Sequence, residues 1–504
     1  MRNIFPSLFP KNNLDAFIAA AAGFFIIWLY TRHSGIGISP DSVTYLSVAR
    51  NFRAQGVLFD YTDSPVIIFP VFYPVFLTLF EWITGSDPMV FAPLLNAGLF
   101  ALLIYTTGWI MESFSSSSKW FKQIILGFLV LSPGLLEVYS MMWSETLFIL
   151  LLLFFMIALR HYLDSPSLKS LLFPACVTAT ACITRFAGVT LIATAGLFLL
   201  FDRRTGIKKK IIHILVFGIT ASSLLLINLI RNAVESGTLT GLREQSLTSL
   251  YTNLVYCGLV FCDWLPLPKG HSILAFSLTL FLIGGFLFLI RQNIRNSLSR
   301  GFEQINLIFF LVYLVFIIGS ASFSRYELIN SRLLSPLFIS FLLGGTYWLI
   351  PVCKKSWARN QWLTITGATL LTVLFQLNQG LADYENYDGI KDAGIPGYTE
   401  DNWAKDSEIV NYLKTNRGMF KPGYTLYSNT NDAFYFFTGR QSELLPHRII
   451  PPELREFSEK QGIYLIWFDD GDNQELIGLQ DVFARKKMTL LKKFNNGSIY
   501  ISQP

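Results

Sequence analysis

The stretch 203-RRTGIKKKIIHILVFGITASSLLLINLIRN-232 decides what kind of protein this is. Residues 211–230 carry no Asp, Glu, Lys or Arg and are mostly Ile, Leu, Val and Phe. A run of about 20 apolar residues is what an α-helix needs to cross a bilayer. Five cations precede it: Arg203, Arg204, Lys208, Lys209 and Lys210. Lys and Arg collect in cytoplasmic loops, so the segment 202–210 is predicted to be cytoplasmic and Arg231-Asn232 to emerge on the outer face.

The same pattern recurs on both sides of this stretch. Residues 14–30, 89–111, 121–136, 146–159, 171–184, 186–201, 272–290, 305–319, 333–350 and 362–377 are each long apolar runs. They predict a multi-pass α-helical membrane protein of about eleven transmembrane helices. Composition agrees. The 504 residues are 52% hydrophobic and 15% charged, against about 25% charged in soluble chains, which excludes an ordinary soluble enzyme. The net charge is +6 and no basic tract alternates with aromatics, so no nucleic-acid partner is expected.

Charge parity orders the faces. The basic segments 119–122, 160–169, 291–300 and 354–359 fall on the same side as 202–210. Arg2 and Lys11 precede the first run, and Thr31-Arg32-His33 follows it in place of a small-residue cleavage site, so it reads as an uncleaved anchor. The parity holds only if the apolar run 66–80 does not cross. Pro70 and Pro74 break its backbone ladder, and freed carbonyls are costly in lipid. The segments 32–88, 137–145, 231–271, 323–332 and everything after 378 then share the outer face.

Residues 379–504 differ in kind, being polar, turn-rich and short in their apolar runs. The expected division is therefore a transmembrane module over 1–378, with the outer loop 32–88, and a small α/β extracytoplasmic domain over 379–504. In the latter, 406–415 has helical spacing, 424–427 and 462–468 read as strands, and Asn495-Asn496-Gly497 reads as a hairpin turn between 490–494 and 498–501.

Several residues are suited to chemistry at an outer membrane face. Asp41 follows Pro40 and opens an amphipathic helix carrying Tyr45, Val48, Ala49 and Phe52 on one side. It can serve as an N-terminal cap, as a general base at the interface, or as both. Glu145 opens the run 146–159, where a carboxylate is costly unless it meets a partner or a cavity. Two carboxylates on one face can position an acceptor hydroxyl or hold a divalent metal. Arg185, Arg231 and Arg332 lie at outer helix ends, with Arg325 nearby, against the positive-inside trend. A single arginine there can simply snorkel; as a set they suit an anion, and guanidinium matches phosphate in a bidentate fork. No Gly-x4-Gly-Lys, His-Glu-x2-His or Gly-x-Ser-x-Gly motif is present, and the five histidines do not cluster. Cys257 and Cys262 share an outer segment and can pair or stay free; Cys353 should be cytoplasmic and reduced.

Five motifs in order carry a family resemblance: Pro40-Asp41-Ser42-x2-Tyr45-x3-Ala49; Tyr73-Pro74-x2-Leu77; Ser144-Glu145-x-Leu147-Phe148; Thr184-Arg185-Phe186-x-Gly188; and Arg231-Asn232 with Gly237 and Gly241, followed later by Arg332-Leu333-Leu334-x-Pro336. Tyr427-Ser428-Asn429 and Thr438-Gly439-Arg440 add to it in the tail. The chain resembles the glycosyltransferase C superfamily of polyprenyl-phosphate-sugar-dependent enzymes, in particular bacterial members similar to the protein O-mannosyltransferase and lipid A aminoarabinose transferase families. The resemblance implies transfer of a sugar from a polyprenyl-phosphate carrier to a glycan, lipid or protein acceptor, with inversion, on the outer face of a bacterial inner membrane. It implies Asp41 and Glu145 as catalytic acids, Arg185, Arg231 and Arg332 for the lipid phosphate, and Tyr45 and Tyr73 for sugar or acceptor. Ser42 stands where many relatives carry a second acid, which weighs against a bound metal. The alternative reading is a non-catalytic or transport-type membrane protein of envelope glycan assembly, flippase- or polymerase-like. A transporter would need ionisable groups at mid-membrane; only His213 and Asn228 approach that.

Overall fold

The computed structural model describes residues 13–502 except 115–118, 203, 242–244, 266, 269, 296–299, 325–326 and 472, with backbone alone at 346–365, 368 and 369. Arg325 and the Cys353 side chain lie outside the described residues. Among the described residues, fourteen α-helices come first: α1 (Leu14–Tyr30), α2 (Pro40–Gln55), α3 (Phe72–Thr84), α4 (Pro88–Glu112), α5 (Lys119–Val130), α6 (Pro133–Ser140), α7 (Glu145–Asp164), α8 (Leu168–Thr184), α9 (Val189–Phe201), α10 (Ile207–Ser236), α11 (Leu250–Trp264), α12 (Ser272–Arg295), α13 (Phe302–Phe323) and α14 (Ser331–Ala393). The C-terminal part follows as α15 (Asp401–Ala404), α16 (Glu408–Thr415), β1 (Thr425–Ser428), α17 (Asn431–Thr438), β2 (Glu443–Leu444), α18 (Pro451–Glu459), β3 (Ile463–Phe468), α19 (Leu479–Arg485), β4 (Met488–Phe494) and β5 (Gly497–Ser502). By internal packing the chain forms two units. One comprises Met1–Leu29, Ile67–Tyr73 and Ala92–Asp388, the other Tyr30–Val66, Pro74–Phe91 and Gly389–Pro504.

The first unit is a helical membrane fold. Among the described residues, five helices are long and apolar enough to cross a membrane (α4, α7, α10, α12 and α13), or six if the bent pair α5–α6 is one span. Shorter apolar helices, α1, α8, the Phe186–Phe201 segment and Ser331–Gly345, belong to the same unit, whereas α3 from Pro74 onward belongs to the second. By that measure the eleven crossings expected from the sequence are not reached. α7 lies inside the unit, buried from Glu145 to Leu163 on most of its surface and packed on α6, α8, α9 and α13. α10 and α12 instead turn Ile219, Ile227, Phe281 and Phe288 outward, as lipid-facing helices do.

The structure departs from the sequence reading in four places. The run 121–136 breaks at Ser132-Pro133 and bends by 49°. Pro133 lacks an N–H and begins a new helix, whose first turn is capped by Ser132 Oγ accepting from the Leu135 amide. Lys122, read as a cytoplasmic-edge cation, is buried and bonded to Asp15 at 2.8 Å and Glu112 at 2.6 Å, tying α1, α4 and α5 together. The expected loop at 354–359 is helical, and α14 runs unbroken through both predicted crossings. Within the run 66–80, residues 66–71 are not helical, and the 13 residues of α3 span roughly 20 Å, short of the ~30 Å hydrocarbon core. The segment 231–271 holds an unforeseen helix, α11, packed against α12. Gly258 permits the approach, because a Cβ there would overlap the Ala275 carbonyl. Cys257 and Cys262 are both on α11 as buried free thiols.

The second unit contains α2 and a five-stranded sheet of order β2-β1-β3-β5-β4. β1, β2 and β3 are parallel and β3, β5 and β4 antiparallel. β3 is central and reads Ile-Tyr-Leu-Ile-Trp-Phe, apolar on both faces because both are covered. Tyr427, Leu445, Phe457, Ile463, Leu465, Val482 and Tyr500 form its core. The predicted strands, the helix at 406–415 and the β4–β5 hairpin are all present. The Asn429 amide donates to the Phe468 carbonyl and accepts from the Phe468 amide, pinning the end of β1 to the end of β3. Gly439 closes α17 at φ +68°, a left-handed turn that suits glycine.

Candidate active site

In the helical unit the candidate residues gather around Glu145. It is the first residue of α7, after Trp143-Ser144, and only 1% exposed. A carboxylate so placed needs charged partners. Arg185 Nη1 lies 2.7 Å from Oε2, and Arg332 Nε 2.7 Å from Oε1. Arg185 comes from the turn between α8 and α9, where it leaves the helix in extended conformation. Gly188 makes that turn tight: a Cβ there would clash with the Ala181–Cys182 backbone. The same Nη1 donates to Ser144 Oγ at 2.9 Å. Arg332 comes from the first turn of α14; its guanidinium lies 4.0 Å from the Trp143 ring centroid and its Nη1 3.8 Å from the more exposed Glu327. Glu145, Arg185 and Arg332 are thus brought together as one buried group in which two guanidinium planes face one carboxylate. Tyr73, 1% exposed, hydrogen-bonds the Thr146 side chain next to Glu145.

Arg231 is engaged on its own helix, with Nη2 donating to Asn232 Oδ1 at 2.7 Å and Nε 3.9 Å from Glu235. Asn232 is fully buried and its amide donates to the Leu239 carbonyl. Asn228, one turn earlier, is 4% exposed, and among the described residues neither polar atom of its side chain has a hydrogen-bond partner.

In the second unit Asp41 lies in the first turn of α2. Pro40 is at the first helical position, and the Ser39 amide donates to Ser42 Oγ at 3.1 Å. Pro40 and the cap fix the backbone that carries the carboxylate. Tyr45, a turn further on, is 2% exposed. Arg50–Asp87 at 2.7 Å and Arg53–Glu81 at 2.8 Å hold the other end of α2. α2 packs against α17, and there the structure adds residues that the sequence reading passed over. Asp432 is 7% exposed and its Oδ2 accepts the Tyr398 hydroxyl at 2.7 Å. Burial pushes the Asp432 carboxyl above the usual carboxylate range; the Tyr398 hydrogen bond opposes this and the nearby charge of Asp41 adds to it. The Tyr61 hydroxyl donates to Asn431 Oδ1 at 3.4 Å, and its ring stacks 5.2 Å from Tyr435. An acid in the first turn of a short helix gives no sequence signal beyond capping, so Asp432 was not legible as anything else.

Among the described residues no group of three or more His, Cys, Asp or Glu side chains is arranged to hold a metal ion. The Glu145 group does not fit a dication, because both carboxylate oxygens already face guanidinium.

No family model matches the sequence, and neither does any curated protein. Solved structures do match. ArnT from Cupriavidus metallidurans, both bound to undecaprenyl phosphate and in the apo state, superposes with a TM-score of 0.57 at 12% identity, covering 96% of this chain and 97% of that one. The arabinofuranosyltransferase AftD from Mycobacteria gives 0.52 at 14% identity, over 97% of this chain and 40% of the longer AftD chain. This chain has the glycosyltransferase C fold. Both matches span the helical unit and the sheet unit together. At such identities the likeness speaks for the fold alone.

Proposed function

We propose that this protein is an inverting membrane glycosyltransferase of the bacterial inner membrane, moving a sugar from a polyprenyl-phosphate carrier to an acceptor hydroxyl on the outer face. In this reading residues 1–378 are the transferase module and 379–504 its extracytoplasmic domain. The observation that carries it is the buried Arg185–Glu145–Arg332 group, within a fold shared with a protein solved bound to undecaprenyl phosphate. Arginine forks held by a carboxylate, that of Arg332 also stacked on Trp143, suit a phosphate monoester or diester. The outward apolar faces of the helical unit suit the polyprenyl tail.

The step follows from these roles. Asp41 takes the proton of the acceptor hydroxyl, and the oxygen attacks the anomeric carbon. The bond from that carbon to the phosphate oxygen breaks on the opposite side, which inverts the centre. The electron pair leaves on the lipid phosphate, where Arg185 and Arg332 stabilise the growing charge. Glu145 acts by orienting both guanidiniums, since its oxygens are occupied. Arg231, backed by Asn232, adds a cation for the carrier. Tyr73 and Tyr45 shape the sugar and acceptor sides from within their helices.

The test is direct transfer. Purified full-length protein is given polyprenyl-phosphate-linked radiolabelled sugar and a total envelope glycolipid and glycan fraction. Label in the acceptor together with free polyprenyl phosphate supports the proposal. Label that crosses a vesicle membrane with its lipid bond intact supports the transport reading instead.

A further inference from the structure

Glu145 opens α7, and the other end of that helix carries a second charged group that the step above does not use. Arg160 in the last turns of α7, Asp202 and Arg204 between α9 and α10, and Arg300 between α12 and α13 meet there. Arg160 donates through Nη1 to the Arg300 carbonyl, and its Nη2 lies 3.0 Å from Asp164. Arg204 Nη2 donates to the Leu163 carbonyl at 2.9 Å and its Nε to Asp202 Oδ1 at 3.1 Å. Arg300 Nη2 lies 3.8 Å from the same oxygen. A cation that only marks the cytoplasmic side needs no such framework; here backbone carbonyls and a carboxylate from three segments hold the guanidiniums in place. The Asp202 side chain is 7% exposed, whereas those of Arg160, Arg204 and Arg300 are 32%, 32% and 41% exposed. The carboxylate lies inside and the guanidiniums form the rim. Two carboxylates, Asp164 and Asp202, face three guanidiniums, so the group as described carries one uncompensated positive charge.

An apolar face adjoins this rim. Phe201, the last residue of α9, and Ile207 and Ile211 on the first turns of α10 are exposed. Lys210 Nζ donates to the Leu200 carbonyl at 3.0 Å, which holds these two helix ends together.

We propose that Arg160, Arg204 and Arg300 form a headgroup site for an anionic phospholipid of the cytoplasmic leaflet, its acyl chains lying along Phe201, Ile207 and Ile211. The leaflet follows from the lysines and arginines that crowd this end of α10. A phosphodiester supplies the one negative charge that the group lacks, and guanidinium matches its oxygens in a fork. A monoester such as polyprenyl phosphate carries about two charges and overcompensates it. Inorganic phosphate would meet the rim but leave the apolar face without a partner. Basic pockets between helices on the cytoplasmic side are where anionic headgroups bind.

The test uses the purified full chain in a non-ionic detergent, where no anionic surface draws the lipid in from a distance. Binding of dioleoylphosphatidylglycerol is titrated by native mass spectrometry. Wild type should hold this lipid in preference to dioleoylphosphatidylcholine, and added salt should weaken the binding. Arg300→Gln should weaken one bound lipid by about fivefold, and Arg204→Gln together with Arg300→Gln by about 25-fold. Lys208→Gln removes an exposed cation outside the group and should change little. Equal losses from Lys208→Gln and Arg300→Gln would mean diffuse charge and no site. Unchanged binding in the double variant, or no preference over phosphatidylcholine, overturns the proposal. So does displacement by equimolar polyprenyl phosphate with the same arginine dependence, which would make the carrier the occupant, or displacement by inorganic phosphate, which would leave an anion site without a lipid. Should the double variant fold poorly, Arg300→Gln decides alone, because its side chain is the most exposed of the three and its contact with Asp202 is long.

Discussion

Arg332 is the residue whose loss should be read most clearly, because its Nε bonds the Glu145 carboxylate while its plane covers Trp143. Arg332→Gln leaves that carboxylate with fewer partners, and breaking a buried pair costs about 3–5 kcal/mol. Thermal unfolding should show that loss, and the apparent KM for the lipid donor should rise more than that for the acceptor. Arg332→Lys should rescue little, since an ammonium cannot stack and bond at once; full recovery by lysine would reduce the site to a point charge. Asp41→Asn keeps the cap and the shape but removes the basicity. Turnover should fall by about 10²–10⁴-fold with donor binding retained, and a wild-type rate would leave Asp41 as a helix cap only. The separate members of the Glu145 group were legible as charges expected on the outer face, and Tyr73 only through its place in a family motif. Their pairing was not, because residues on α7, α14 and the α8–α9 turn meet only once the helices pack. Asp432 and Tyr398 were invisible for a different reason: their meaning depends on burial, which a polar helix start and an isolated tyrosine do not announce.

Helices whose pattern is unmixed were readable one by one, and those with a second demand on them were not. α7 and α13 announce themselves through uncharged apolar runs, and the β4–β5 hairpin through Asn495-Asn496-Gly497. α11 does not, because Asn253, Gly258 and Asp263 dilute its apolar pattern within a segment read as loop. The Gly258 contact gives that helix a test. Helical Gly→Ala ordinarily gains up to about 1 kcal/mol. At Gly258 the new methyl would meet the Ala275 carbonyl, backbone that cannot turn aside, and overpacking costs typically about 1–3 kcal/mol. Gly258→Ala should therefore lower the melting temperature. Gly284→Ala on α12, with open space around it, should leave it unchanged or raise it. The same direction of change at both sites would mean that α11 and α12 do not pack this closely.

Across the whole chain, the sidedness of the membrane fold is the expectation with the widest reach, because every proposed role at Asp41, Arg185, Arg231 and Arg332 needs the outer face. It rests on charge asymmetry: Arg203, Arg204 and Lys208 to Lys210 crowd one end of α10, and only Arg231 stands near the other. Moving cations across a bilayer is expensive, so the crowded end stays cytoplasmic and the topology up to α14 follows by parity. The bend at Pro133 and the short α3 leave the lysines where they lie, whereas α14, unbroken through both predicted crossings, removes one reversal from the count, so the face of the C-terminal part is read from labelling rather than from parity. Lys208 and Lys487 are both exposed and serve as reporters. In a background with the five native cysteines replaced, Lys487→Cys should react with a membrane-impermeant maleimide in cells whose outer barrier alone is opened. Lys208→Cys should react only after the inner membrane is permeabilised. Labelling of both from outside, or of Lys208→Cys alone, would invert the scheme and take the proposed acceptor chemistry off the outer face.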